Sequence, residues 1–220
     1  MELEPKSLSL TPDAALAHLR GEATALLAQP GRRVLGIAGG PGVGKSTLAV
    51  QLVAAIGDDA AYVPMDGFHM KHAKLEALGT AADKGMPHTF EAAAFADFLA
   101  SLKAATGPMS GPGYSRKIED VVEDAFTVSA TARLLVVEGN YLLLATAPWW
   151  RVKALLDRAV FLEVPREKVR TRLMKRHAEE GLFSEERNRA HVERVDLRNY
   201  DLVMRSKPRA DIAIALVTDA

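Results

Sequence analysis

The sequence contains no cysteine, which excludes disulfide bonds, thiolate metal sites and a cysteine nucleophile. It has no excess of charge either. Its 28 Lys and Arg balance 28 Asp and Glu, so overall electrostatics give no reason to expect a nucleic-acid or acidic-membrane partner. No apolar run approaches the roughly 18 residues of a membrane span, and the first segment, MELEPKSLSL, lacks the basic start of a signal peptide. We therefore expect a cytoplasmic protein without nucleic-acid or membrane partners.

The 220 residues, 48% of them hydrophobic, suffice for one domain with a buried core. Apolar runs of strand length alternate with stretches of helical periodicity. The predicted strands are 33–39, 60–65, 132–139, 158–164 and 209–216, and the predicted helices are 12–29, 45–57, 91–105, about 148–156, 166–179 and 184–203. Continuously apolar strands separated by helices are typical of a parallel sheet covered on both faces. The sequence predicts a single α/β domain over 1–220 with a doubly wound parallel sheet.

One segment, TGPMSGPGYSRKI at 106–118, is rich in Gly, Pro and Ser. A domain linker would have this composition, but a predicted strand of the same sheet follows too soon. We therefore predict a functional loop within the domain.

The segment GIAGGPGVGKST at 36–47 places a glycine cluster between a predicted strand and a predicted helix, and it matches G-x-x-x-x-G-K-[ST]. Without side chains, the glycines let backbone N–H groups surround phosphate oxygens at a helix N-terminus. Lys45 would reach the β- and γ-phosphates, and the Ser46 hydroxyl would ligate Mg²⁺. The motif predicts an ATP site formed by Gly39, Gly40, Pro41, Gly42, Val43, Gly44, Lys45, Ser46 and Thr47.

The motif does not identify the reaction, because kinases, GTPase switches and motor ATPases share it. The N-K-x-D and D-x-x-G segments of GTPase switches do not occur here. Asp66, in VPMDGFHM, follows a predicted strand at the edge of the sheet where ligands bind. Three roles are open for it: a base that accepts the proton of an attacking hydroxyl, a magnesium ligand, or a residue of a simple turn.

Five segments in this order, GIAGGPGVGKST, VPMDGFHM, KGMPHTFEAAAFADFLASLK, GPGYSRKIEDVVEDA and LLVVEGNYLLL, resemble the phosphoribulokinase/uridine kinase/pantothenate kinase superfamily of P-loop kinases. Within it, the likeness is greatest to the bacterial fructokinase-like, or nucleoside/nucleotide kinase family, branch. The resemblance covers about 33–216. It implies a kinase that transfers the γ-phosphoryl group of ATP, with Mg²⁺, to a hydroxyl of a small molecule. The acceptor would be a sugar such as fructose, a nucleoside or a pantothenate-like molecule.

Carried over residue by residue, the resemblance implies that Asp66 is the catalytic base. It places on the acceptor His69, Lys84, Glu91, Tyr114 and Arg116, and Glu91 stands where the family usually has an aspartate. Glu138, at the end of a predicted strand, would hold Mg²⁺ with Ser46 or contact the acceptor, and a solvent-facing carboxylate is the alternative. The histidines show no convincing metal-ligand spacing.

The segment REKVRTRLMKRHAEE at 166–180 is strongly basic. Such a charge run is usually a solvated helix face with intrahelical ion pairs. The resemblance instead implies a helical lid, at about 166–203, that closes over the phosphates. Arg172 and Arg176, four residues apart on one helical face, would then be catalytic. The alternative function is a P-loop ATP-binding regulatory module without small-molecule kinase activity, and a homodimer is left open.

Overall fold

The computed structural model describes residues 4–181 and 184–217. A six-stranded sheet, parallel throughout, has the strand order β1-β8-β7-β2-β6-β3, and β4 and β5 form a separate antiparallel hairpin. The strands are β1 (Lys6–Leu10), β2 (Arg33–Gly39), β3 (Ala60–Pro64), β4 (Met109–Ser115), β5 (Asp120–Val128), β6 (Leu134–Gly139), β7 (Arg158–Glu163) and β8 (Ile212–Leu216). The predicted α/β class with a parallel sheet is confirmed.

The helices are α1 (Pro12–Leu27), α2 (Lys45–Ile56), α3 (His72–Ala77), α4 (Ala92–Ala104), α5 (Trp150–Leu155), α6 (Arg166–Glu180), α7 (Glu185–His191) and α8 (Leu197–Met204). Short 3₁₀ turns cover Met65–Phe68, Ala81–Asp83, Pro87–Thr89 and Lys207–Arg209. No described helix is both long and apolar enough to cross a bilayer.

The interior positions of the central strands are apolar because both faces of the sheet are covered, and the charged residues lie at or near the strand ends. Along β6, Leu134 and Val136 pack in one buried cluster with α1 and α2, whereas Leu135 and Val137 pack in a second cluster with α4 and α5. Successive side chains of a strand point to opposite faces. The two clusters are therefore the two cores of a sheet sandwiched between helices.

The prediction of a loop at 106–118 is wrong, because most of this segment belongs to the hairpin of β4 and β5. Gly111, Pro112 and Gly113 interrupt the apolar alternation by which strands are recognised. Close packing explains the glycine at 111, since a Cβ there would lie 2.5 Å from the rings of Phe98 and Phe126. On the facing turn, a Cβ on Gly67 would lie 1.9 Å from the Pro112 carbonyl oxygen. The segment thus contributes a β-hairpin that packs against the turn containing Asp66.

Two other elements differ from the sequence prediction. Strand β1 was not predicted, since it is a largely exposed edge strand whose serines alternate with leucines. The helix predicted at 184–203 is interrupted by a π-helical turn, Val192–Asp196, between α7 and α8. Wider i to i+5 turns of this kind are often found at functional sites.

The carboxyl ends of three neighbouring strands meet at one edge of the sheet. Strand β2 leads into the glycine loop, and β3 leads into the turn of Asp66. Strand β6 ends at Glu138 and Gly139, and Glu138 is in register with Ile37 of β2 and Pro64 of β3. The topology therefore brings the glycine loop, Asp66 and Glu138 together at this edge.

Candidate active site

The glycine loop needs glycine for its backbone conformation. Gly42 and Gly44 have φ values of 74° and 99°, in the left-handed region that side chains disfavour. Helix α2 begins at Lys45, immediately after Gly44. The side chain of Val43 is buried in the core, which leaves only its backbone for a ligand. The loop therefore presents main-chain groups at the N-terminus of a helix, a favourable place for an anion.

A cavity of about 440 Å³ opens beside this loop, and we call it the active-site cavity. Its lining combines nearly all of the residues predicted from the sequence: Pro41, Gly42, Gly44, Lys45, Ser46, Thr47, Asp66, His69, Lys84, Tyr114, Arg116, Glu138, Arg172 and Arg176. They come from the glycine loop and the start of α2, the turn after β3, the loop at Lys84, the hairpin, β6 and α6. One cavity therefore brings together residues predicted for ATP, for the acceptor and for proton transfer, whereas Gly39, Gly40 and Val43 of the glycine loop are not in its lining.

Lys45 is buried at the centre of this arrangement. Its Nζ donates to the Gly40 carbonyl oxygen at 2.8 Å and to Oδ1 of Asn140 at 2.7 Å. Burial lowers the pKa of Lys45, and the nearby carboxylates of Glu138 and Asp66 oppose this shift. An anion beside Nζ would stabilise the charged form, so this lysine is suited to bind phosphate.

Glu138 is also buried, and its Oε1 accepts a hydrogen bond from the Tyr62 hydroxyl at 2.8 Å. Ser46 and Glu138 both line the active-site cavity. Burial, and secondarily the charge of Asp66, raises the pKa of Glu138. The alternative of a solvent-facing Glu138 is therefore wrong. Tyr62 was missed because, within the apolar strand β3, it resembles an ordinary packing residue.

His69 lies between two aromatic rings, with its ring centroid 3.9 Å from that of Phe90 and 4.6 Å from that of Tyr114. Its Nδ1 lies 2.8 Å from the main-chain oxygen of Asp66, and it must donate because a carbonyl only accepts. Burial lowers the pKa of His69, so the ring is neutral at pH 7. This side chain therefore holds the Asp66 turn against the hairpin.

The loop at Lys84 and Gly85 is held by two side chains that sequence reasoning did not place on it. The Gly85 carbonyl accepts from the Tyr141 hydroxyl at 2.5 Å and from Nδ2 of Asn199 at 2.9 Å. Lys84 donates to the Glu119 carbonyl and lies with Nζ 5.4 Å from the centroid of the Tyr114 ring. Buried Tyr141 therefore supports the wall of the cavity.

Glu91 is not among the residues that line the active-site cavity. Its carboxylate pairs with Lys74 at 2.5 Å on the surface. The preceding residue, Phe90, lines the cavity instead, and its ring packs edge-on against Tyr141. Glu91 thus lies outside the lining of the cavity, and its contact with the acceptor stays a prediction.

The basic helix α6 packs over the glycine loop. A Cβ on Gly42 would lie 3.1 Å from Leu173, and Arg172 donates to the Gly42 carbonyl at 3.5 Å. Arg172 and Arg176 both line the cavity, so α6 is more than a solvated face. The position suits the predicted lid role, in which guanidinium groups stabilise charge on phosphate.

Nε2 of His177 lies 3.0 Å from Oδ2 of Asp196, which joins α6 to the π-helical turn. His191 is close to both, and the potential ligand atoms of the three residues lie within 4.8 Å of one another. Sequence spacing did not suggest this cluster, because its members come from three separate segments. Its observed hydrogen bond explains it as a contact that fastens α6 to the π-helical turn.

No family model matches the chain. A Schizosaccharomyces pombe protein named "Putative uridine kinase" is 33% identical over 208 residues, which cover 90% of this chain and 88% of that protein. A Streptomyces coelicolor pantothenate kinase is 34% identical over 140 residues, which cover 59% of this chain and 43% of that enzyme.

Among solved structures, a "putative fructose transport system kinase" from a Silicibacter species is similar with a TM-score of 0.82 at 33% identity, covering 90% of this chain and 98% of that chain. The family and the enzyme class predicted from the motifs are therefore confirmed. The chain belongs to the superfamily of P-loop small-molecule kinases that includes uridine kinase, pantothenate kinase and phosphoribulokinase.

Proposed function

We propose that the chain transfers the γ-phosphoryl group of ATP to a hydroxyl of a small molecule. One observation carries the proposal: the glycine loop with Lys45 and the carboxylate of Asp66 line the same cavity. The acceptor enters on the side of His69 and Tyr114. A sugar such as fructose, a nucleoside and a pantothenate-like molecule are the acceptors considered, and the names of the relatives do not select among them.

In this proposal the acceptor hydroxyl attacks the γ-phosphorus, a new O–P bond forms, the bond to the β-phosphate oxygen breaks, and ADP leaves. Asp66 takes the hydroxyl proton as general base. Lys45, Arg172 and Arg176 hold the phosphates and stabilise the charge of the transition state. Because the protein does little covalent chemistry in such transfers, its contribution is positioning and electrostatics.

Magnesium fits the oxygen groups found here. The Ser46 hydroxyl and the Glu138 carboxylate both line the active-site cavity, and hard oxygen donors of this kind are those that Mg²⁺ prefers. The ion, when bound with ATP, would neutralise phosphate charge. Tyr62 orients the Glu138 carboxylate for this role, and a bound cation would offset the cost of burying that charge.

The test of the proposed function is ADP release measured over a panel of acceptors: fructose and other sugars, nucleosides, pantothenate and glycerate. A kinase should release ADP in a saturable way that depends on one acceptor class. Tight ATP binding with no release above the acceptor-free background for any member would overturn the proposal and favour the regulatory ATP-binding module.

ATP with Mg²⁺ should raise the melting temperature, and chelation of the metal should remove much of the gain. A ligand at 100 times its Kd stabilises by about 2.7 kcal/mol through mass action. Ser46→Ala should lose the magnesium-dependent part of the shift. Ser101→Ala, which removes an exposed hydroxyl bonded within α4, is the matched control and should keep the full shift. Equal stabilisation of wild type with and without chelator would contradict the assignment of Ser46.

A further inference from the structure

The cluster of His177, His191 and Asp196 contains more than its one hydrogen bond requires. That bond joins His177 to Asp196 and does not involve His191. The ring of His191 has its centroid 5.5 Å from that of His177, and within the described ranges His191 forms no hydrogen bond. All three residues line the active-site cavity. A third potential metal ligand therefore faces a hydrogen-bonded pair at the wall of an open cavity.

The π-helical turn explains how two of these side chains come to the same side. His191 ends α7, and Asp196 ends the turn Val192–Asp196, five residues further on. In an α-helix, residues five apart point in directions that differ by roughly 140°. The wider turn is seen in the N–H of Leu197, which bonds to the Val192 carbonyl five residues back. This turn therefore brings Asp196 towards His191.

A separate contact turns α7 towards α6. Nδ2 of Asn188, a buried residue, donates to the main-chain carbonyl of His177 at 3.2 Å. Asn188 and His191 are three residues apart on α7, so they share one face of that helix. The face that carries His191 is thus held against the segment that carries His177.

The distances and protonation states suit a metal ion. Tetrahedral bonds to nitrogen and oxygen separate the ligand atoms by roughly 3.3–3.5 Å. Here one pair is 3.0 Å apart, and all three ligand atoms lie within 4.8 Å of one another. Side-chain rotations that move these atoms by about 1 Å would close the site. Burial lowers the pKa of His191, so its ring is neutral at pH 7, the form that binds metals.

The donor set selects the class of ion. Mg²⁺ prefers six oxygen ligands, such as phosphate, hydroxyl, carboxylate and water oxygens. Two imidazoles with one carboxylate instead suit Zn²⁺ and similar divalent transition metals. Three protein ligands leave a fourth position open, and the cavity gives the ion a path of entry. The cluster thus differs in chemistry from the magnesium site proposed at Ser46 and Glu138.

We propose that His177, His191 and Asp196 bind one divalent transition-metal ion of the zinc class. The ion would take the place of the proton between Nε2 of His177 and Asp196, and the neutral ring would then carry its single proton on Nδ1. It would join α6 to the end of α7 and to the π-helical turn. This inference goes beyond the proposed function and does not depend on it, because no step of phosphoryl transfer uses this ion.

The first experiment measures metal content. Protein treated with a chelator is dialysed against Zn²⁺ with Mg²⁺ in large excess, and we expect one Zn²⁺ per chain. His191→Gln and Asp196→Asn should each weaken Zn²⁺ binding by more than 10–100-fold, about the loss seen when only an outer partner of a ligand is removed. His191→Gln is the sharper test, because it leaves the hydrogen bond of His177 to Asp196 in place.

The matched control is His88→Ala. Nε2 of His88 lies 3.3 Å from the Asp83 carboxylate, both side chains are exposed, and neither residue lines the active-site cavity. The control removes an imidazole beside a carboxylate and should keep the full Zn²⁺ content. The inference is wrong if the wild type takes up no Zn²⁺, if Mg²⁺ displaces it, or if His191→Gln and His88→Ala bind it equally.

The melting temperature gives a second readout. Zn²⁺ should raise it for the wild type and for His88→Ala, but not for His191→Gln. Without metal, His191→Gln should melt close to the wild type, because no hydrogen bond is lost. A lower metal-free melting temperature together with retained Zn²⁺ binding would show that His191 is structural and would overturn the proposal.

If His191→Gln does not fold, Asp196→Asn decides instead, because asparagine nearly keeps the shape of aspartate and can still hydrogen-bond to His177. Retained Zn²⁺ binding by Asp196→Asn would then refute the site. ADP release is a separate measurement. Zn²⁺ binding as expected with no ADP release for any acceptor would count against the kinase function alone, whereas ADP release without Zn²⁺ binding would count against the metal site alone.

Discussion

Asp66→Asn is expected to lower turnover with the true acceptor by roughly 10²–10⁴-fold, the usual scale for loss of a general base. Asparagine has nearly the shape of aspartate but cannot take up the hydroxyl proton. The turn should survive, because its observed contacts use the main chain: the Asp66 carbonyl accepts from the His69 backbone N–H at 3.2 Å and lies 2.8 Å from Nδ1 of His69. ATP affinity should therefore stay close to that of the wild type.

Two measurements on the same Asp66→Asn protein decide the role: ATP affinity by titration and acceptor-dependent ADP release. Asp97→Asn is the matched control, since it makes the same change at an exposed carboxylate that pairs with Arg151 on the surface. Near-wild-type values of both quantities would exclude Asp66 as the base. A role as magnesium ligand would give a different result, with metal-dependent ATP binding lost along with the rate.

Lys45→Ala is expected to reduce phosphoryl transfer by roughly 10²–10³-fold, the scale for removing one preorganised charge-stabilising group. Its buried ammonium lies in the same cavity as the carboxylates of Glu138 and Asp66. Two further cationic side chains, Arg172 and Arg176, line this cavity from α6. The fold should persist, because among the described residues this lysine bonds only to Asn140 and the Gly40 carbonyl and forms no ion pair.

The comparison is made by kcat/KM and melting temperature on Lys45→Ala and on Lys45→Met, which retains the aliphatic length. Lys175→Ala, a change at an exposed position of α6, should behave as wild type. If both turnover and melting temperature are unchanged, Lys45 does not stabilise the transferred phosphate and the prediction is wrong. A large fall in melting temperature in both substitutions would instead show a structural role.

Sequence alone determined the features that depend on residues close together in the chain. The glycine loop needs Gly42 and Gly44 where the backbone takes positive φ, and its lysine and serine follow at once. The strands of the core are recognisable because both faces are buried, so that every side chain of β6 is apolar up to Glu138. The sequence also predicts that Asp66 lies at the edge formed by the carboxyl ends of the strands, because parallel strands end at the same edge. The structure has Asp66 there, directly after β3.

Only the tertiary structure decided which side chains share the site. A shift of one residue along the chain separates Phe90, which lines the cavity, from Glu91, which pairs with Lys74 outside it. The segment KGMPHTFEAAAFADFLASLK does not show by residue spacing which of Phe90 and Glu91 faces the cavity.

Contacts between residues far apart in the chain could not be predicted from the sequence either, because they too depend on tertiary packing. Asn199 reaches Gly85 across 114 positions, and the hydrogen bond of His177 to Asp196 joins α6 to the π-helical turn. Such contacts depend on how α6, α7, α8 and the hairpin of β4 and β5 pack against the edge of the sheet. Because the whole core determines this packing, it cannot be predicted from local periodicity or motif spacing.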